Sequence, residues 1–276
     1  MITLIEIIKR SAEYLAQRGI ENPRPAAEEV IADALNMKKL DLYLQFDRPL
    51  TESELPTLRS AIARRAKHEP TAYIAGRVIF AGIELKVDRS VLIPRLETEI
   101  LVETITQTLQ EMPLENKVLW DMCCGSGCIG LALKTRFPQL TVALSDMSSE
   151  ALITAQKNSQ VDVQFKQGDL FAPFAGKRCD FFVCNPPYVA EGEFAQLSSE
   201  VRDWEPKTAL ISGPTGLEYY ARIATDLRTH LNRGGLAWLE IGTGQGASVQ
   251  ALFEAQGWQC QIKPDWSGHD RFCYLN

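Results

Sequence analysis

The sequence predicts an α/β protein: a mostly parallel seven-stranded sheet with an antiparallel last strand, preceded by a small N-terminal helical bundle and a β-hairpin linker. Three observations carry that prediction. From Glu97 onward, segments with helical spacing of apolar residues alternate with short β-rich runs, the pattern of a parallel sheet covered by helices on both faces. The last two β-rich stretches, WQCQIKP and RFCYLN, are joined by a link too short for a helical crossover, so they pair antiparallel. Over the first 70 or so residues, three segments show helical spacing of apolar residues.

In order along the chain, residues 2–18, 25–36 and 52–67 repeat apolar positions at about 3.6 residues, the last with a proline in its first turn. Around Gly76 and Gly82 the pattern turns to alternation in AGRVIFAGIELKVDRS, a pair of short strands about a glycine-containing turn. There follow helix 97–111, strand VLWDM, helix 127–136, strand TVALSD, helix 148–159, strands VQFKQ and DFFVC, helix 217–232, strand LAWLEIG and helix 244–256. The expected domains are a helical domain at 1–72, a hairpin linker at 73–92 and the sheet domain at 93–276. Residues 190–216 show weak periodicity and several glycines and prolines, a long loop of the kind that tends to carry function.

The 276 residues are 45% hydrophobic and 23% charged, enough for one large core and a satellite domain. Thirty-five acidic against 29 basic side chains leave a formal charge of −6, which repels a polyanion, so duplex nucleic acid is not an expected partner. The basic run RSAIARRAKH at 59–68 reads equally well as a solvated helix face. No apolar run approaches the roughly 20 residues that span a bilayer, and MITLIEIIKRSAEYL is neither signal peptide nor anchor. Seven cysteines scattered through apolar segments suit reduced thiols and a cytoplasmic location. The Cys123, Cys124 and Cys128 cluster lacks the paired spacing of zinc sites, and no metal is expected.

The first chemical motif is WDMCCGSGCIG, with glycines at 125, 127 and 130 after a strand and opening a helix, and Asp146 at the end of the next strand. Glycines there let a ligand approach the backbone, and a carboxylate on the second strand accepts the hydroxyls of a ribose. Any adenosine-containing cofactor suits those functions. Asp121, four residues before Gly125, repels the phosphates of a dinucleotide and instead suits a sulfonium and an α-amino group. The reading therefore moves from NAD to S-adenosylmethionine. Asp146 also suits a helix cap, with Ser148 as a rival for that position. Asp169 in KQGDLF accepts from an adenine amino group, with Leu170 packing on the ring, or is a turn aspartate.

The second motif is NPPY, Asn185 to Tyr188, directly after DFFVC. A planar nitrogen acceptor, an amide or an exocyclic amine, has a delocalised lone pair and needs help to attack. The Asn185 side-chain oxygen and the Pro186 carbonyl can accept its two N–H groups, bonds that strengthen as the nitrogen gains positive charge. Pro186 and Pro187 hold those acceptors still, and Tyr188 offers a flat face for stacking. No histidine base is needed, and His68, His230 and His269 lie outside both motifs.

With these motifs in place, the chain resembles the N5-glutamine methyltransferases of peptide chain release factors, the HemK/PrmC type. The resemblance runs through YIAGRVIFAGIELKV, VLIPRLETEILVE, WDMCCGSGCIGLAL, SDMSSEALITAQKN, NPPYV, EVRDWEPKTALISGPTGLEYY and GGLAWLEIGTGQG. It implies a Rossmann-like, S-adenosylmethionine-dependent methyltransferase domain behind a helical domain that helps dock the partner. It implies cofactor contacts at Asp121, Cys123, Cys124, Gly125, Ser126, Gly127, Asp146, Asp169, Leu170 and Asn185. Asn185, Pro186, Pro187 and Tyr188 would hold the glutamine of a release factor's GGQ loop, with Asn185 and Pro186 catalytic and S-adenosylhomocysteine released. A monomer is expected. Two positions depart from the family pattern: Cys123 replaces the first loop glycine, and Leu96 replaces a proline in PRLETE. Cys123 is expected in a permitted β conformation. Arg95, Glu97 and Glu99 are placed to shape the cofactor's entrance, and helix capping explains the two acids equally well. Rival readings are a glutamine methyltransferase of a ribosomal protein, an adenine-N6 or guanine-N2 nucleic-acid methyltransferase, a non-catalytic cofactor-binding regulator and an NAD-dependent dehydrogenase.

Overall fold

The structure is a computed structural model that describes residues 2–276. Helix α1 (Leu4–Gln17) begins where the Thr3 N–H donates to Glu6 Oε2 at 2.9 Å, and it buries Leu4, Ile8 and Leu15 on one stripe. Helix α2 (Pro23–Ala34) starts on a proline, whose missing N–H costs nothing in the first turn. Helix α4 (Glu54–Arg65) completes the three expected helices. Two more, α3 (Lys39–Leu44) and α5 (Thr71–Ala75), are too short to show a period in the sequence. Together these helices close a core of their own around Leu4, Ile8, Ala27, Ile31, Leu42 and Leu58.

The hairpin follows as β1 (Arg77–Phe80) and β2 (Ile83–Lys86). The sheet domain then runs through α6 (Leu96–Gln110), β3 (Val118–Met122), α7 (Cys128–Arg136), β4 (Thr141–Asp146), α8 (Ser149–Asn158), β5 (Gln164–Gln167) and β6 (Cys179–Cys184). After β6 the expected long loop is largely built: β7 (Val189–Ala190) pairs in parallel with β8 (Ile211–Gly213), and α9 (Ser199–Trp204) and α10 (Lys207–Leu210) lie between them. The chain ends with α11 (Glu218–His230), β9 (Leu231–Glu240), α12 (Gly246–Ala255), β10 (Cys260–Pro264) and β11 (Asp270–Leu275).

Two compact units result. One comprises Met1–Arg77 with Ser198–Trp204, and the other Val78–Leu197 with Glu205–Asn276. The sequence reading ended the helical domain at 72 and left 198–204 with the sheet domain. Within the helical unit the nearly buried Arg65 guanidinium bonds the Glu200 carboxylate, a pairing 135 residues apart that no local pattern displays.

The main sheet has seven strands in the order β10-β11-β9-β6-β3-β4-β5. Strands β3, β4, β5, β6 and β9 run parallel, and β11 is antiparallel to both β9 and β10. Alternate residues feed opposite cores: Leu119, Phe181, Val183 and Trp238 face α6 and α7, whereas Trp120, Phe182, Cys184 and Leu239 face α11 and α12. From β3 the chain winds outward to β5, then returns to place β6 on the other side of β3. That reversal opens a crevice between the carboxyl ends of β3 and β6, where ligands of such folds bind.

Gly130 shows how closely α7 is drawn onto β3. A Cβ there would lie 2.9 Å from Asp121 Oδ2 and 3.2 Å from Leu144 Cγ. In a free helix Gly→Ala gains about 1 kcal/mol. Here overpacking at a cost of about 1–3 kcal/mol wins, so Gly130→Ala is expected to lower the midpoint of denaturant unfolding, and a raised midpoint would show that the helix has room to move.

Candidate active site

The crevice is a cleft of about 420 Å³, within the roughly 300–1,000 Å³ of small-molecule sites. The glycine loop forms one wall: Cys123, Cys124, Gly125, Ser126 and Cys128 line it. Gly125 and Gly127 take φ of 52° and 81°, the left-handed region that favours glycine. At Gly127, which caps α7, a Cβ would also meet Leu144 Cδ2 at 2.9 Å. Cys123 corrects the sequence expectation, for its φ is 56° and not extended. A left-handed β-carbon costs on the order of 1–2 kcal/mol, and the thiol side chain there lies within bonding reach of the buried Cys184 thiol.

Asp146 lines the cleft and braces the loop. Its Oδ2 accepts from the Gly125 N–H at 2.9 Å and its Oδ1 from the Ser148 N–H at 2.9 Å. Burial raises its pKa, and those backbone N–H groups oppose the rise. Ser148 caps α8 itself, accepting from Ala151 N at 3.2 Å. Thus the two capping candidates share the turn, with each Asp146 oxygen still able to accept another hydrogen bond.

Asp121 is placed differently from the expectation. It is 1% exposed, does not line the cleft, and accepts from the Gly130 N–H at 2.8 Å, tying the first turns of α7 to β3. Burial pushes its carboxyl up to about 7, and the nearby Asp146 charge adds to the rise. Its Oδ2 holds the start of α7, while its buried Oδ1 has no protein partner.

Asp169 and Leu170 lie on the cleft wall below β5. Asp169 Oδ2 accepts from Arg222 Nη2 at 2.5 Å, and Arg222 also lies over the Tyr219 ring, another wall residue. Leu170 is buried with φ of 46°, a second left-handed position on the same wall. Two such positions facing one cleft fit the tendency of strain to gather at functional sites.

Asn185 and Pro187 line the cleft, whereas Pro186 and Tyr188 do not. Tyr188 packs against the α11/α12 core instead of offering its face to the cleft, and burial pushes its phenol up to about 12. Its carbonyl accepts from Gln245 Nε2 at 2.9 Å, while Gln245 Oε1 accepts from the Gly242 N–H at 2.9 Å, so Gln245 pins the exit of NPPY to the end of β9. That residue stands in GTGQG, a segment from which the sequence reading drew no role.

The far wall comes from Val91, Leu92, Pro94, Arg95, Thr98, Thr208 and Ala209. Buried Glu205 fixes it by accepting from the Ile93 N–H at 3.2 Å and pairing with Arg95. Arg95 thus lines the cleft and is anchored there by Glu205, while Leu96 is 70% exposed on the first turn of α6. Two buried hydroxyls on the cleft wall, Ser126 Oγ and Ser145 Oγ, have no protein partner. Orphaned polar atoms facing a cavity call for a polar ligand, and together with the glycine loop and Asp146 they fit a nucleoside-bearing cofactor.

A seven-stranded sheet of this order, with a glycine loop after its first parallel strand and an acid ending the second, defines a Rossmann-like methyltransferase. The comparisons agree. The PrmC N-terminal domain matches residues 6–76 and the methyltransferase small domain residues 96–200. The release factor glutamine methyltransferase of Chlamydia trachomatis serovar L2 is 43% identical over 98% of this chain and 93% of its own length. That of Geobacter sulfurreducens is 38% identical over 98% and 95%. The chain belongs to the release factor glutamine methyltransferase family. Among solved structures, the fold matches ribosomal protein L11 methylase of Lactobacillus delbrueckii subsp. bulgaricus with a TM-score of 0.50 at 16% identity, over 67% of this chain and 80% of that one. It also matches the 16S rRNA N2 G1207 methyltransferase of T. thermophilus, in complex with AdoMet and guanosine, with a TM-score of 0.50 at 15% identity, over 72% and 49%.

Asp146 is expected to act on both loop and ligand. Asp146→Ala should weaken S-adenosylmethionine binding by about 1.5–3 kcal/mol, roughly 10- to 150-fold, as read by isothermal titration; an unchanged dissociation constant would confine Asp146 to its capping bonds.

Proposed function

We propose that the chain methylates the side-chain amide nitrogen, N5, of the glutamine in the GGQ loop of peptide chain release factors, using S-adenosylmethionine and releasing S-adenosylhomocysteine. One observation carries the reading: Asn185 stands on the wall of the same cleft as the glycine loop, in a chain of the release factor glutamine methyltransferase family. S-adenosylmethionine, when bound, supplies an electrophilic methyl group on a sulfonium.

The chain's own residues bind and orient. The Cys123 to Gly127 loop brings backbone to the cofactor, Asp146 accepts from ribose hydroxyls, and Asp169 and Leu170 flank the adenine. Asn185 Oδ1 and the Pro186 carbonyl accept the two N–H groups of the glutamine amide. As that nitrogen becomes tetrahedral and positive, both bonds strengthen, which favours the transition state over the bound substrate. The product nitrogen then sheds its proton to water, and no histidine or cysteine base is required. Rigidity supports the grip: prolines fix Asn185 and the carbonyl, and Gln245 ties the exit. Tyr188, packed into the core, serves that rigidity better than it serves stacking.

The helical unit is assigned to docking the release factor, and the protein to the cytoplasm as a monomer that does not bind duplex nucleic acid. No helix among the described residues is long and apolar enough to cross a membrane.

Radiolabelled methyl transfer into a lysate of cells lacking the enzyme, followed by mass mapping, is expected to put the label on a release-factor glutamine; label on a ribosomal protein or on nucleic acid overturns the reading. Asn185→Ala is expected to lower kcat by about 10²–10³-fold, the scale of losing one preorganised transition-state hydrogen bond, with S-adenosylmethionine affinity largely kept. Unchanged turnover would remove the amide grip from Asn185.

A further inference from the structure

Glu240, the last residue of β9, is 1% exposed and takes no part in either motif. Its position follows from strand register. Cys184 of β6 pairs in parallel with Leu239 of β9, so one residue further on Asn185 stands beside Glu240. Both fall on the α6 side of the sheet, as do Val183 and Trp238 two residues earlier. The Thr98 hydroxyl of α6 donates to Glu240 Oε2 at 2.6 Å, and the Tyr220 hydroxyl donates to the Glu240 carbonyl at 3.1 Å. That register sets the Asn185 side chain next to the same carboxyl, a neighbour that favours its charged form. Burying a carboxylate is expensive, and an apolar residue of like volume packs such a position at lower cost. A role beyond packing accounts for it.

We propose that Glu240 is a positioning residue for methyl transfer: its carboxylate accepts from Asn185 Nδ2 and thereby holds Asn185 Oδ1 toward the acceptor amide. This rests on the reading of Asn185 as the residue that grips that amide. An ionised carboxylate only accepts, so it admits only the NH₂ end of its neighbour. The Thr98 hydroxyl already donates to Oε2, which leaves Oε1 as the open acceptor for Asn185. With its proton on, the carboxyl becomes a donor, draws the Asn185 oxygen inward and turns the NH₂ group on the substrate.

The surroundings set when that happens. Burial pushes Glu240 up to about 7; the Thr98 hydroxyl and the Arg271 charge from β11 oppose this, Glu97 from α6 adds to it, and Asn185 opposes it. Cys128 from α7, Tyr188 beyond β6 and Tyr220 from α11 also face it, and burial raises each of them, so they remain neutral. Activity that requires the carboxylate therefore falls as pH falls through about 7.

The test measures kcat against pH with a release factor as substrate, and S-adenosylmethionine affinity by titration, for the full chain and three variants. Glu240→Leu is expected to lose kcat by about 10²-fold, the scale of a misplaced catalytic group, while S-adenosylmethionine affinity and KM for the release factor stay near wild type. Glu240→Gln should restore turnover, because its carbonyl accepts from Asn185 while its NH₂ donates to Thr98 Oγ1, and it should lose the acid limb near pH 7. Wild-type kcat in the leucine variant, or a wild-type acid limb in the glutamine variant, overturns the proposal. If the leucine variant does not bind S-adenosylmethionine, the pH profile of the glutamine variant decides. Asn185→Ala separates the two levels: full turnover there sinks the role of Asn185 itself, whereas lost turnover there with full turnover in Glu240→Leu sinks only the role of Glu240.

Discussion

Because β6 pairs in parallel with β3 on one side and β9 on the other, three chains leave the sheet at one edge and within reach of one another. Everything chemical in the molecule is arranged along that edge. Strand β3 runs into the glycine loop, β6 into NPPY, and β9 ends on Glu240. The helices that follow cannot drift, since α7 is tied to β3 by the Asp121 bond to the Gly130 N–H and stacked where no Cβ fits. Parallel strands need helical crossovers, and the crossovers place α6 and α7 over one face with α11 and α12 over the other. Ligand site and core packing are thus one geometric solution.

That edge also concentrates buried acid. Asp121, Glu205 and Glu240 are all nearly inaccessible, and Asp146 is partly covered. Buried carboxylates are tolerable where donors satisfy them. Here each one holds a piece of backbone or a side chain in place: Asp121 the start of α7, Asp146 the loop and the α8 turn, Glu205 the 93–95 segment, Glu240 the side chain of Thr98. Left-handed Cys123 and Leu170 add backbone strain on the same cleft. Cost in charge burial and in torsion is spent at the site and recovered in the apolar cores, the arrangement expected where preorganisation is needed.

Local features were legible in the sequence and distant ones were not. The glycine loop, Asp146 and NPPY each declare themselves within a few residues, because turn geometry and ring constraints act on immediate neighbours. The parallel sheet could be read from the alternation and the antiparallel end from one short link, whereas the strand order could not. By contrast, Thr98 meets Glu240 across 142 residues and Arg95 meets Glu205 across 110. Those contacts are made by topology. The segment at 198–204 joins the helical unit for the same reason. Cys123 misled differently: its left-handed φ is imposed by a loop whose shape glycine usually serves, so residue type pointed to the wrong conformation. Tyr188 has an aromatic's ambiguity, since a ring after a motif packs inward as readily as it stacks on a ligand.

The asparagine of NPPY poses a problem that steric fit does not solve. The oxygen and the NH₂ of a side-chain amide are nearly equal in size, so a close-packed wall accepts either orientation. Yet the two are opposites in chemistry: one grips a substrate N–H and the other repels it. Prolines fix the backbone of Asn185 but leave the terminal torsion broad. A neighbour that presents only an acceptor can choose, and an ionised carboxylate, like a backbone carbonyl, accepts and never donates. Water would not serve, because it offers both senses. A buried acid beside Asn185 meets that requirement if the asparagine grips an amide as proposed, and the register of β6 on β9 sets the two side by side.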